Sequence, residues 1–102
     1  MCNVQITDNQ ILIDGHAENK IVCAMLTALT VSFVDNMINV HASEDDLHVI
    51  LDRGKFNINV SGVVDGTPAE TTLQNYIRSI HKLADTYPNS FDMHNASRYY
   101  IV

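Results

Sequence analysis

Ile11-Leu12-Ile13-Asp14-Gly15-His16-Ala17-Glu18-Asn19-Lys20-Ile21-Val22-Cys23-Ala24-Met25-Leu26 is the stretch whose reading decides the fold. Three β-favouring apolar residues read as a strand that ends near Asp14, and a helix is expected to start at Asn19 or Lys20. The change from strand to helix within so few residues marks an α+β chain in which a sheet must cover a helix. It also leaves His16 at the end of a strand and Cys23 in the opening turns of a helix.

Outward from this stretch, Val4-Gln5-Ile6 precedes Ile11-Leu12-Ile13, with the turn-forming Thr7-Asp8-Asn9-Gln10 between them, so the two segments predict an antiparallel hairpin. From about Lys20 to Asn39 the residues Val22, Met25, Leu26, Leu29, Phe33 and Met37 recur at three- and four-residue steps. They form one face of a helix with no interior Gly or Pro, and Cys23 falls on the border of that face. His41 to Asp46 reads as a solvated loop. Leu47 to Asp52 and Lys55 to Ser61 then flank Arg53-Gly54 as a second hairpin, with Phe56, Ile58 and Val60 turned inward and His48 toward solvent.

A second helix has a clear start. Thr67 is the expected N-cap, Pro68 the first helical residue and Glu70 the partner in a capping box. Leu73, Tyr76, Ile77, Ile80 and Leu83 make its buried stripe, and Pro88 stops it. A short loop through Met93-His94-Asn95 and a last strand from about Arg98 to Val102 complete the expected order β-β-α-β-β-α-β. The expected architecture is α+β: one small mixed or antiparallel sheet with two helices, residues 1–102 forming a single domain.

Composition narrows the function classes. A chain of 102 residues is expected to bury roughly 60–70% of its unfolded surface, enough to stand without disulfides or a structural metal. Cys2 and Cys23 are too few for a secreted disulfide framework and lie in no CxxC pair, which suggests a reducing cytoplasm. There is no signal-peptide pattern at Met1-Cys2-Asn3-Val4-Gln5 and no uninterrupted apolar run of spanning length, so a soluble protein away from membranes is expected. The net charge of −6 argues against a phosphate-neutralising nucleic-acid surface and is compatible with steering a basic peptide. His41, His48, His81 and His94 lack the spacing and company of metal ligands, and no phosphate-binding glycine pattern or GxSxG elbow occurs, so no metal or cofactor is expected.

The chemistry therefore rests on His16 and Cys23. Cysteine attacks as the thiolate, which both an imidazolium and a helix N-terminus stabilise. Residues 17 to 19 can span on the order of 10 Å, enough to bring the histidine beside the first helical turns. The residues alone leave two readings open: a nucleophile with its base, or a satisfied histidine and an inert helix cysteine.

Gly15-His16-Ala17 followed by Ile21-Val22-Cys23-Ala24 and Leu29, in this order of elements, resembles the bacterial ribosomal-processing cysteine proteases over essentially the whole chain. The resemblance implies that His16 and Cys23 form the catalytic dyad. It further implies a homodimeric endopeptidase that removes a short N-terminal extension, a basic peptide tail, from a large-subunit ribosomal protein. In such a mechanism Cys23 attacks the peptide carbonyl, His16 takes and returns the proton, and amides near the helix start hold the oxyanion.

The chain departs from that family in two ways. Only Ala17 to Val22 separate the two residues, where family members carry a longer, glycine-containing loop regarded as a cover for the cleft. Lys20 and Thr27 stand where the family has an acidic residue and a serine. Lysine cannot cap the helix, so Asn19 is expected to do so; its charge costs a few tenths to about 1 kcal/mol at an exposed helix N-terminus, yet favours a nearby thiolate. Thr27, one turn beyond Cys23, could serve the sulfur or the substrate, or bond back to the preceding turn. These departures motivate two alternatives: a non-catalytic relative acting as a binding or scaffold protein, and a protease acting on a phage capsid or scaffold protein.

Overall fold

The computed structural model describes residues 1–15, 19–40, 49–52 and 55–99. The elements are β1 (Cys2–Ile6), β2 (Gln10–Asp14), α1 (Lys20–Val40), β3 (Val49–Asp52), β4 (Lys55–Asn59), α2 (Pro68–Thr86) and β5 (Phe91–Asn95), the last preceded by a short 3-10 turn at Pro88–Ser90. The order β-β-α-β-β-α-β is the expected one.

The strands form one five-stranded mixed sheet in the order β3-β4-β2-β1-β5. β1 pairs antiparallel with β2, β2 with β4, and β4 with β3, whereas β5 runs parallel to β1. Both helices thus sit in crossovers between parallel strands, α1 from β2 to β3 and α2 from β4 to β5. The two crossovers run in opposite directions from oppositely directed strands, so the right-handed rule places both helices on the same face of the sheet. The strands record that face. Cys2, Val4 and Ile6 of β1, Ile11 and Ile13 of β2, Ile58 of β4 and Phe91 of β5 are buried, and they share one core with the helical stripes. Their neighbours Asn3, Gln5, Asp14, Asp92 and His94 are exposed, as the two-residue period of a half-covered sheet requires.

The first hairpin turns through Thr7, whose amide donates to the Gln10 carbonyl at 3.0 Å while its Oγ1 accepts from the amides of Asn9 and Gln10 at 3.3 and 3.1 Å. On α1, Val22, Leu26, Phe33 and Met37 are buried as expected, and Met25 and Leu29 are half-buried. Thr30 is fully buried as well, which an apolar pattern does not announce. Its Oγ1 donates to the Leu26 carbonyl at 2.8 Å and accepts from the Tyr76 hydroxyl at 2.8 Å, while the Phe33 and Tyr76 rings stack at 4.2 Å. This pairing joins α1 to α2. Burial pushes the Tyr76 phenol up to about 12, with the Thr30 hydrogen bond acting against it.

Over Lys20–Asn39, α1 is long and apolar enough to cross a membrane by length and composition, and a third of that stretch is buried inside the fold. α2 begins as expected, with Thr67 Oγ1 accepting from the Glu70 amide at 3.4 Å and Pro68 as its first residue. The reciprocal bond is displaced by one residue: Glu70 Oε1 accepts from the Gly66 amide at 3.2 Å. That contact, ahead of Asp65, Tyr99 and Arg98, holds the Glu70 carboxyl below its ordinary value.

The closing strand requires a correction. β5 is Phe91–Asn95, including the residues expected to form a loop, and Arg98 and Tyr99 lie beyond it in irregular structure. Residues 100–102 of the expected strand lie outside the described residues, as do the expected loop at His41 to Asp46, His48 and the Arg53-Gly54 turn. Asp, His and Asn are poor strand formers, so the aromatic and β-branched run at the end of the sequence gives the stronger strand signal. In the fold, an edge position with a solvated outer face tolerates Asp92 and His94, while Phe91 supplies the buried contact. After β5 the chain is pinned by Asn95, whose Oδ1 accepts from the Ser97 amide and hydroxyl at 3.0 and 2.6 Å. Its Nδ2 therefore faces His81 Nε2 at 2.9 Å, which makes that nitrogen the acceptor.

Candidate active site

The site is built where β2 passes into α1. Gly15 ends the strand in the left-handed region at φ +96, and a Cβ placed there would lie 2.5 Å from the Met1 carbonyl oxygen. The Cys2 thiol, buried beneath, makes a long contact of 3.9 Å to the Gly15 carbonyl. Only glycine suits both the dihedral and the space. His16, Ala17 and Glu18 lie outside the described residues, so the expected meeting of His16 with Cys23 does too.

The chain resumes at Asn19, which caps α1 as its residue type predicts. Its Oδ1 accepts from the Ile21 amide at 2.9 Å and its carbonyl from the Cys23 amide at 3.2 Å. Cys23 is thereby fixed by the bond that closes the first helical turn. Lys20 is the exposed first residue of the helix, and no acidic residue occupies that turn.

Cys23 is half-buried, packed against the core yet reachable, and it forms no disulfide with the buried Cys2. At about 100° per residue, Cys23, Thr27 and Val34 lie on one flank of α1. Met25, Leu29 and Ser32 lie on the other, where they face Ser79, Lys82 and Leu83 of α2 across a groove of about 570 Å³. Cys23 does not line that groove. Thr27 shares its flank and is exposed. Among the described residues no group of three or more His, Cys, Asp or Glu side chains is placed to hold a metal ion.

Solved structures share this fold. The essential ribosomal processing protease Prp from S. aureus, in complex with a covalently linked product peptide, is 24% identical, with 92% of this chain and 96% of that one covered at a TM-score of 0.70. The same protease with a substrate peptide gives 20% identity, the same coverage and a TM-score of 0.72. The chain has the Prp fold. SMU.848 from Streptococcus mutans shares it at 16% identity, over 95% of this chain and 93% of that one, with a TM-score of 0.69. No family model matches the chain, and no curated protein matches it in sequence. The likeness covers 92% of the chain and is one of fold.

The sequence motif named Gly15 without giving it a task. A glycine closing a strand directly before a candidate catalytic residue was the available signal, since a positive φ there has few other occupants.

Proposed function

We propose that this protein is a cytoplasmic cysteine endopeptidase in which Cys23 is the nucleophile and His16 its base, and that it removes a short N-terminal extension from a large-subunit ribosomal protein. The observation that carries the reading is the placement of Cys23: half-buried in the first turn of α1, capped by Asn19, in a fold shared with a protease whose product peptide is covalently linked. The thiolate attacks the scissile carbonyl and forms a C–S bond. The proton taken by His16 passes to the leaving amine, and water then hydrolyses the thioester. Amides of the first turn supply donors for the oxyanion. Asn19 and Lys20 support the thiolate from the helix start, and Thr27 borders the peptide path.

The net charge of −6 supports a basic peptide as substrate. A homodimer belongs to the same proposal. It is supported by the exposed apolar side chains Ile21 and Val31 on the outer face of α1. Lys20 and Asp35 stand at opposite ends of that face, so an antiparallel copy would set opposite charges together.

The test is incubation with peptides from the N-terminal tails of the same genome's ribosomal proteins, beside peptides of scrambled sequence. Cleavage of the native tail that Cys23→Ala abolishes is the expected result. Equal inertness of both proteins toward every tail would overturn the reading and leave a binding protein in its place.

A further inference from the structure

We propose that the free edge of β5, with the cavity that α2 leaves beside it, is a docking site for an extended segment of a partner protein, basic and apolar in alternation, which adds a strand to the sheet. Neither Cys23 nor the start of α1 takes part, so docking is independent of the protease chemistry. β5 ends the described sheet on one side and is paired there only with β1. The Ala96 amide donates to the Ile6 carbonyl at 2.8 Å. Main-chain groups alternate sides along a strand, so Asp92 and His94 also turn theirs toward β1. Phe91, Met93 and Asn95 therefore direct their N–H and C=O groups outward, and among the described residues no hydrogen bond meets them. An edge in that state is a template for another strand.

The space beside that edge has room for side chains. A cavity of about 660 Å³ lies between α2, which contributes His81, Ala84 and Asp85, and β5, which contributes Phe91, Met93 and His94. Phe91 and Met93 pack toward the core on the helix side, whereas His94 belongs to the opposite, exposed face of the sheet. A cavity that touches both faces wraps the edge and does not lie beneath the sheet. A strand added about 4.8 Å from β5 would run along it. Antiparallel pairing, the more stable per residue, sets one face of the segment over Ala84, Phe91 and Met93 and the other beside Asp92 and His94.

Charge selects the kind of segment. Asp85 is exposed at the cavity and makes no ion pair among the described residues, and Asp92 stands on the outer face of β5 with His94 at 3.0 Å. No lysine or arginine among the described residues lines the cavity. In a protein of net charge −6, this edge suits lysine or arginine at the outward positions of the segment and apolar, β-branched residues at the inward ones.

The probe is a short fluorescein-labelled peptide in which lysine and valine alternate. It is titrated into the wild type and into Cys23→Ala, where cleavage cannot remove it, with fluorescence anisotropy and amide shifts as readouts. Saturable binding is expected, with the largest shifts at Met93, Asn95 and Ala84. N-methylation of the valine amides removes the donors that face β5 and should abolish binding. Met93→Pro keeps the pairing with β1, because the lost N–H is an outward one, and should weaken binding about tenfold. Asp85→Lys should weaken it about fivefold at low salt. Thermal unfolding is recorded for each variant; should Met93→Pro fail to fold, the N-methylated peptide decides alone. Absence of saturable binding, equal affinity for the N-methylated peptide, or shifts confined to other elements would overturn the proposal. Protection of the Met93 amide that grows with protein concentration in the absence of peptide would give the edge to a second copy and overturn it as well.

Discussion

Replacing the Thr30–Tyr76 pair one partner at a time should reveal how α1, and with it Cys23, is held against α2. Both residues are buried, and the hydroxyls are 2.8 Å apart. Thr30 spends its only proton on the Leu26 carbonyl, so Tyr76 is the donor between the two hydroxyls. Tyr76→Phe removes a donor and leaves Thr30 still bonded to Leu26, a loss of about 0.5–1.5 kcal/mol. Thr30→Val leaves the phenol proton without its acceptor in a dry interface, costing about 1–3 kcal/mol. The double variant removes both hydroxyls and should be more stable than Thr30→Val alone.

Alkaline pH adds an independent readout. The Tyr76 phenol is raised from its ordinary 10.0 to about 12. Its contribution is therefore fully present below pH 10 and is lost as the pH rises toward 12, because the unfolded chain ionises first. Two pH units correspond to on the order of 2–3 kcal/mol. Chemical denaturation at pH 7 and between pH 9.5 and 11.5 measures both effects. Tyr76→Phe should flatten the alkaline loss relative to wild type. Strict additivity of the two single variants, together with an unchanged alkaline slope in Tyr76→Phe, would refute the reasoning.

Two further outcomes follow from the caps. Asn19→Ala should cost about 1 kcal/mol and loosen the turn that carries Cys23, seen as faster amide exchange at Ile21 and Cys23, whereas Asn19→Asp should preserve both stability and protection. Glu70 is held below its ordinary value first by the Gly66 amide, so its contribution is present above the unfolded carboxylate value and is lost as pH falls through the lower folded one. In NMR titrations the Gly66 amide shift should follow that carboxylate, and Glu70→Gln should abolish the response.

The sequence made those parts legible in which side-chain pattern and backbone chemistry agree. Thr67-Pro68 and Glu70 announce α2 because cap, fixed φ and acidic first turn all act locally, and the three- and four-residue repeat from Val22 to Met37 gives α1 its buried face. Thr30 escaped that repeat because its burial depends on a partner 46 positions away, Tyr76. β5 was misplaced for a similar reason. A strand of Asp, His and Asn forms only because β1 offers it a parallel edge, and pairing between distant segments leaves no local mark. At the site, Asn19 could be read as a cap from its type, while the seat of Gly15 against Met1 is tertiary and could not.

The central claim is that Cys23 forms the covalent bond to substrate. It is tested most directly by mixing the protein with a peptide spanning a ribosomal N-terminal extension, quenching in acid at short times, and measuring intact mass followed by peptide mapping. The account predicts an adduct equal to the acyl half of the peptide, located on Cys23 and not on the buried Cys2, and absent from Cys23→Ala. Cleavage that proceeds at the wild-type rate in Cys23→Ala, with no adduct on the wild-type protein, would contradict it.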